Sequence, residues 1–376
     1  MARSMGRLAG ACVALGLLCA AILPAHADIK AFNAAVTAGD FKAASAAAAE
    51  TWPALDKAAP DIAVTAREFA WVSMLAGDPA RAQAYTGFLV ARASALGPGD
   101  PSQVTWRVLD AWAAFAVRPA RETRKALADA LAARAAIPGK DLISLRAAQA
   151  LFKDEWDGGR WSEAAAAGDL GAHIAKDFGQ AYLDVAYHLE MGSIAATFAD
   201  RVAADPALRM KELAKRAYVD ALSTTSEKLK ERLTIAFFTI DAWAEVTNLV
   251  LVQDGKKGIP PDKPDTTISS RLTPAPGDPA LPECQIVRAA STKQPKYPTG
   301  LSFRGWPGFA TYRLKVAQDG RFTEIKLMGA APNSDFASAT DKVINDWRWQ
   351  FAGTARPPAC RMPVYYYLAF QFGAGS

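Results

Sequence analysis

Histidine is close to absent: three in 376 residues, one of them (His26) inside the first 27. The remaining pair, His173 and His188, is too sparse for a histidine-built metal centre. Cysteine is nearly as scarce, and only Cys284 and Cys360 lie beyond the apolar start of the chain. Charge of one sign is missing too, since 43 Lys and Arg stand against 38 Asp and Glu. That balance gives no electrostatic footprint for nucleic acid, and no nucleic-acid partner is expected. Catalytic signatures are also lacking: no HExxH pair, no nucleophile elbow and no phosphate-cradling glycine loop. His188 and Glu190 sit two apart and therefore project from different sides of a helix. No catalytic residue, metal or cofactor is assigned, and the chain reads as a binding protein.

What is present begins with residues 1–27, which fit a secretory signal. Arg3 and Arg7 supply the positive start, Leu8 to Leu23 an apolar run, and Ala25-His26-Ala27 the small residues of a cleavage site. The run has 16 residues, short of the roughly 20 needed to span a bilayer as a helix. A periplasmic chain starting at Asp28 is expected, with inner-membrane anchoring through an uncleaved signal as the alternative. A second apolar stretch, Leu233 to Val252, has spanning length but carries Asp241, Glu245 and Asn248, and reads as a buried amphipathic helix. The 349 residues after position 27 suggest more than one domain.

From Asp28 to about residue 252 the sequence is rich in Ala, Leu, Arg and Glu, a helical composition. A punctuation recurs: Gly39-Asp40-Phe41-Lys42-Ala43, then Gly77-Asp78-Pro79-Ala80-Arg81-Ala82, then Gly159-Arg160-Trp161-Ser162-Glu163-Ala164. The first two are 38 apart and the third 82 further on, with Arg118-Pro119-Ala120-Arg121 midway. Glycine ends one helix, Asp caps the next, and Pro79 takes the first helical position, where its missing N–H costs nothing. Hairpins repeated at this interval must stack to bury their apolar faces, as a solenoid does. An irregular helical bundle is the alternative. The spacing and the Gly-Asp-aromatic turn resemble tetratricopeptide repeats.

Residues 253–293 are rich in Pro, Gly, Asp, Ser and Thr and read as a linker. Beyond them the period changes. Tyr312, Leu314 and Val316 alternate with polar residues, Gln318-Asp319-Gly320 forms a hairpin turn, and Ile325 and Leu327 alternate on the return. Phe336, Thr340, Val343, Ile344 and Trp347 share one helical face, and a last strand runs from Val364 to Phe372. One helix over one face of a small antiparallel sheet is the arrangement this order implies. The fold class expected is α + (α+β): an all-α helical-hairpin solenoid, then a ββαβ domain from residue 294 to 376.

Gln294-Pro295-Lys296-Tyr297-Pro298, Gly308 eleven residues after that Tyr, Asp319-Gly320, Pro332, Phe336 and Trp347-Arg348-Trp349 keep both order and spacing with the TonB C-terminal domain. The resemblance implies a periplasmic module that recognises peptide segments of TonB-dependent outer-membrane receptors or other envelope partners. The chain departs from typical members in having a helical region where their anchor and spacer stand, and Pro307 where an acidic residue is frequent. A three-stranded sheet ends at an edge with unpaired backbone groups, so binding by strand addition follows. The resemblance puts the receptive edge at the last strand, with Gln294, Tyr297, Pro298, Tyr365, Tyr367, Ala369 and Gln371 as partner-binding residues. The alternative function is a helical-repeat adaptor without energy transduction. In an oxidising compartment Cys284 and Cys360 suggest one structural disulfide, against the alternative of two buried thiols.

The first expected outcome concerns the signal. N-terminal sequencing of the exported protein should return Asp28, whereas an intact N-terminus in the inner-membrane fraction would restore the anchored reading.

Overall fold

The computed structural model describes residues 29–93, 96, 100–260, 271–272, 277–278, 280–284, 286–288, 293–298, 305–317, 320–351, 360–362 and 364–373. The signal segment, most of the proline-rich stretch and turn residues Gln318 and Asp319 lie outside them. Two compact units divide the chain at Gly179 and Gln180.

The first unit is helical: α1 (Lys30–Thr37), α2 (Phe41–Thr51), α3 (Ile62–Leu75), α4 (Pro79–Ala93), α5 (Pro101–Val117), α6 (Arg121–Ala135), α7 (Leu142–Asp157) and α8 (Trp161–Lys176). The recurring punctuation falls at the tight turns. Gly39 and Gly77 take φ of 74° and 76°, a left-handed conformation that costs glycine nothing. Asp40 Oδ1 then accepts from Ala43 N at 3.0 Å, and Asp78 Oδ1 from Arg81 N at 3.2 Å. The hairpins α1–α2, α3–α4, α5–α6 and α7–α8 follow, and α2 packs on α3, α4 on α5, and α6 on α7. Phe32, Trp52, Phe69 and Tyr85 build an aromatic core among α1 to α4.

A buried ion pair ties α5, α6 and α7 together. Asp141 caps α7, accepting from Ser144 N at 3.1 Å, and also accepts from Thr105 Oγ1 at 2.7 Å and Arg134 Nε at 3.0 Å. Burial opposes its charge, but the bonds from Ser144, Thr105 and Arg134 outweigh that and hold the carboxyl below its ordinary pKa.

The second unit combines α9 (Leu183–Asp200), α10 (Ala204–Ser223) and α11 (Glu227–Gln253) with strands and one more helix. The strands are β1 (Ile286–Arg288), β2 (Gly308–Val316), β3 (Phe322–Ala331), β4 (Trp349–Phe351) and β5 (Tyr366–Phe372), and α12 (Asp335–Ile344) lies between β3 and β4. The main sheet is antiparallel with order β3-β2-β5, and β1 pairs separately with β4. On one face Ala310, Tyr312, Leu314, Phe370 and Phe372 are buried with Phe336 and Ile344 of α12. Trp347 joins them from beyond the end of that helix, its ring centroid 4.8 Å from that of Phe370.

The other sheet face is covered as well, which the sequence reading of a single covering helix did not provide for. Helix α11 lies across β2 and β3. A Cβ placed on Gly329 of β3 would stand 2.7 Å from the Thr239 backbone, so only glycine permits that approach. Phe238 stacks on Tyr367 at 4.6 Å, and Glu231 pairs with Arg313 at 2.9 Å and with Lys326. The stretch from Leu233 to Val252 is therefore a core helix, as its buried Leu233, Phe237, Ile240, Trp243 and Val250 require. Within the proline-rich stretch, Leu272 and Cys284 are buried. The last strand is also shorter than expected: it begins at Tyr366, and Val364 is exposed.

Asp241 is partly buried on α11. Desolvation, reinforced by Glu245 one turn further on, pushes its pKa up to about 7. A raised carboxyl pKa favours the native state fully below its ordinary value near 3.8, and that contribution is lost as the pH rises through about 7. Asp241→Asn is therefore expected to increase the unfolding free energy at pH 8 by ~1 kcal/mol or more and to change it little near pH 3. Urea titrations across that range check this, and a difference independent of pH would contradict it.

Candidate functional site

Among the described residues both outer strands of the three-stranded sheet, β3 and β5, pair with β2 alone, but they are not equivalent edges. The β2–β3 register shifts twice: Thr311 faces Gly329 while Tyr312 faces Leu327, and Lys315 faces Glu324 while Val316 faces Phe322. Met328 and Thr323 are thus extra residues that break the regularity of β3, and Glu324 and Lys326 place charge on it. Bulges and charges are the usual protections of an edge. The β2–β5 register runs from Gly308 opposite Phe372 to Leu314 opposite Tyr366 without a shift. Its outer side is a regular row of backbone groups seven residues long.

A groove of about 550 Å³ lies along the C-terminal half of that edge, lined by Gln294, Pro295, Tyr297, Trp347, Trp349 and residues Leu368 to Gly373. A second, of about 270 Å³, flanks the N-terminal half, lined by Glu283, Cys284, Ile286, Leu314, Trp349 and Tyr366 to Leu368. The segment from Lys293 to Pro298 is held in place from two sides. Trp347 Nε1 donates to Lys293 O at 2.7 Å, and Tyr297 Oη donates to Trp306 O at 2.8 Å with its ring edge-on to Phe336. Burial raises the pKa of the Tyr297 hydroxyl, so it stays a neutral donor at physiological pH.

The seven residues assigned from sequence divide into three groups. Gln294, Tyr297, Ala369 and Gln371 meet at the larger groove, and Ala369 and Gln371 are exposed. Tyr365 and Tyr367 face the α11 side and are engaged within the chain. Tyr365 lies under the Arg313 guanidinium at 4.1 Å, whereas Tyr367 stacks on Phe238 while its residue also borders the smaller groove. Pro298 is partly buried and does not line either groove. Sequence reasoning passed over Trp347 and Trp349 as binding residues and took them as the end of the helix. Neither lies on α12, which ends at Ile344: Trp347 is buried against Phe370, and Trp349 opens β4.

Cys284 and Cys360 are bonded, with Cα atoms 4.9 Å apart. Beside them Cys284 N donates to Arg361 O at 2.9 Å and Arg361 N to Pro282 O at 2.8 Å. The bond fixes one wall of the smaller groove. Among the described residues no group of three His, Cys, Asp or Glu could hold a metal ion.

A small sheet with one regular outer strand and grooves beside it is the kind of surface that protein–protein interaction modules use. Comparison with known families agrees: residues 293–368 match the family described as Gram-negative bacterial TonB protein C-terminal, whose members are interaction domains of the cell envelope. No curated protein and no solved structure matches the chain.

Replacing Cys284 and Cys360 together by serine is expected to lower stability by several kcal/mol, about 4 in the loop-entropy account of a closed loop this long. Denaturant titration measures the loss, and thiol labelling of the native unreduced protein should find neither cysteine reactive. Labelling at both positions would show the bond absent.

Proposed function

We propose that this is an exported periplasmic protein of the TonB type that binds extended segments of envelope partners by strand addition at β5. The observation that carries this reading is the unbroken β2–β5 register, with β5 at the end of the described strand order β3-β2-β5 and next to the groove lined by Gln294 and Tyr297. Backbone pairing supplies affinity in such binding and the flanking grooves supply selectivity. Segments of TonB-dependent outer-membrane receptors are the first candidates, which would connect the protein to transport across that membrane. The family match and the expected signal segment support the compartment. In this reading the hairpins α1 to α8 stack as a solenoid that serves as scaffold, and the adaptor function is the alternative.

The test is substitution along the edge. In an antiparallel ladder alternate residues direct N–H and C=O outward, so Ala369 and Gln371 belong to the same set. Ala369→Pro or Gln371→Pro removes one N–H and obstructs an added strand, and binding of a captured periplasmic partner should fall at least tenfold. Gln371→Ala, which leaves the backbone intact, should change it little. Far-UV spectra and melting temperatures identify variants that remain folded. If folded proline variants at both positions bind as tightly as the parent, the edge is not the site and the helical hairpins become the leading one.

A further inference from the structure

The face of the sheet opposite α12 carries a conflict that the sheet does not resolve by itself. Arg313 of β2 and Lys326 of β3 stand directly opposite in the ladder and so share this face. Like charges in a cross-strand pair repel and weaken it. Glu231 of α11 answers both, pairing with Arg313 at 2.9 Å and with Lys326. Glu324 also binds Arg313, at 2.9 Å, whereas the Lys326 ammonium is met by Glu231.

The backbone of β3 is shaped for the same helix. Gly329 lacks a Cβ where one would stand 2.7 Å from the Cα and N of Thr239. The register shift beside it makes Met328 an extra residue, and its carbonyl lies 3.3 Å from Thr239 Oγ1, which also donates to Ile235 O at 2.9 Å. A bulge re-aims the backbone locally. The irregularity that protects β3 as an edge thus also presents a carbonyl to α11. On β5 the Tyr367 ring stacks on Phe238, with centroids 4.6 Å apart. Each of the three strands meets α11 through a residue whose type or geometry suits that helix.

The family match, residues 293–368, does not include α11. We infer that α11 is nevertheless a resident layer of the interaction module, fixed in cis by the charge of Glu231, and that the module of this chain begins no later than α11. The helix closes this face to partners, because the side chains of Arg313, Lys326 and Tyr367 are engaged by it. The inference stands apart from strand addition at β5, since it involves no partner.

The experiment uses the full chain with a protease site inserted between Thr266 and Thr267. Cleavage leaves α1 to α11 on one piece and the strands with α12 on the other. The Cys284–Cys360 bond lies within the second piece and does not join the two. Size-exclusion chromatography of the cut parent at micromolar concentration should return both pieces in one peak of uncut mass. Glu231→Lys sets a third cation beside Arg313 and Lys326, and the second piece should then leave the immobilised first piece about tenfold faster or more. Adding Lys326→Glu to Glu231→Lys restores an opposite pair and should recover retention, which would not happen if Glu231→Lys had merely damaged α11. Separation of the pieces of the cut parent overturns the inference. Retention untouched by Glu231→Lys, or a loss that Lys326→Glu does not reverse, supports the resident layer and overturns the role given to the Glu231 charge.

Discussion

The close approach of α11 to the sheet, with Gly329 against the Thr239 backbone, conditions the rest of the second unit. A three-stranded sheet has two faces, and each apolar face needs a cover. Here α12 covers one face and α11 the other, so the sheet is the middle layer of three. The same contact uses the side chains of the α11 face. Arg313, Lys326, Tyr365 and Tyr367 face this chain's own helix, through Glu231, Phe238 or a cation over a ring. On β5 itself Ala369 and Gln371 are exposed.

Electrostatics in the second unit follow from the same layering. Glu231 is drawn two ways: burial works to raise its pKa, but Lys326 and Arg313 overcome that and keep the carboxyl below its usual range. Asp241, nearly three turns further along α11, gains no such partner among the described residues, and burial prevails there. One helix thus carries a carboxylate that fastens it to the sheet at neutral pH and another whose ionisation weakens the native state.

Edge protection is distributed unequally, and this gives the sheet a direction. β3 has two extra residues and a charged surface, whereas β5 keeps a regular register along its whole length. Bulges and charge on one edge disfavour strand pairing there, and β5 carries no such irregularity in its register with β2. The disulfide and the Trp347 bond to Lys293 O hold the preceding segment beside that side. Gln294, Pro295 and Tyr297 therefore form part of the groove wall.

Local chemistry was legible in the sequence wherever a residue type answers a local backbone demand. Glycine and aspartate at Gly39-Asp40 and Gly77-Asp78 mark helix ends because left-handed φ and orphan N–H groups are properties of a few neighbouring residues. Period-two alternation around Tyr312 and the helical spacing from Phe336 to Ile344 set the order of strands and helix, and the motif around Tyr297 carried the family resemblance. The second cover of the sheet was decided only by tertiary structure, because an apolar face on α11 does not state what it will meet. Tyr365 and Tyr367 illustrate the consequence: alternation gives the face on which each ring lies, and only packing shows Arg313 over one and Phe238 against the other. The groove depends on Trp349 and Leu368, 19 residues apart, meeting beside β5. Nothing local to either residue encodes that distance, since it follows from how α12, β4 and the disulfide-tied segment pack together.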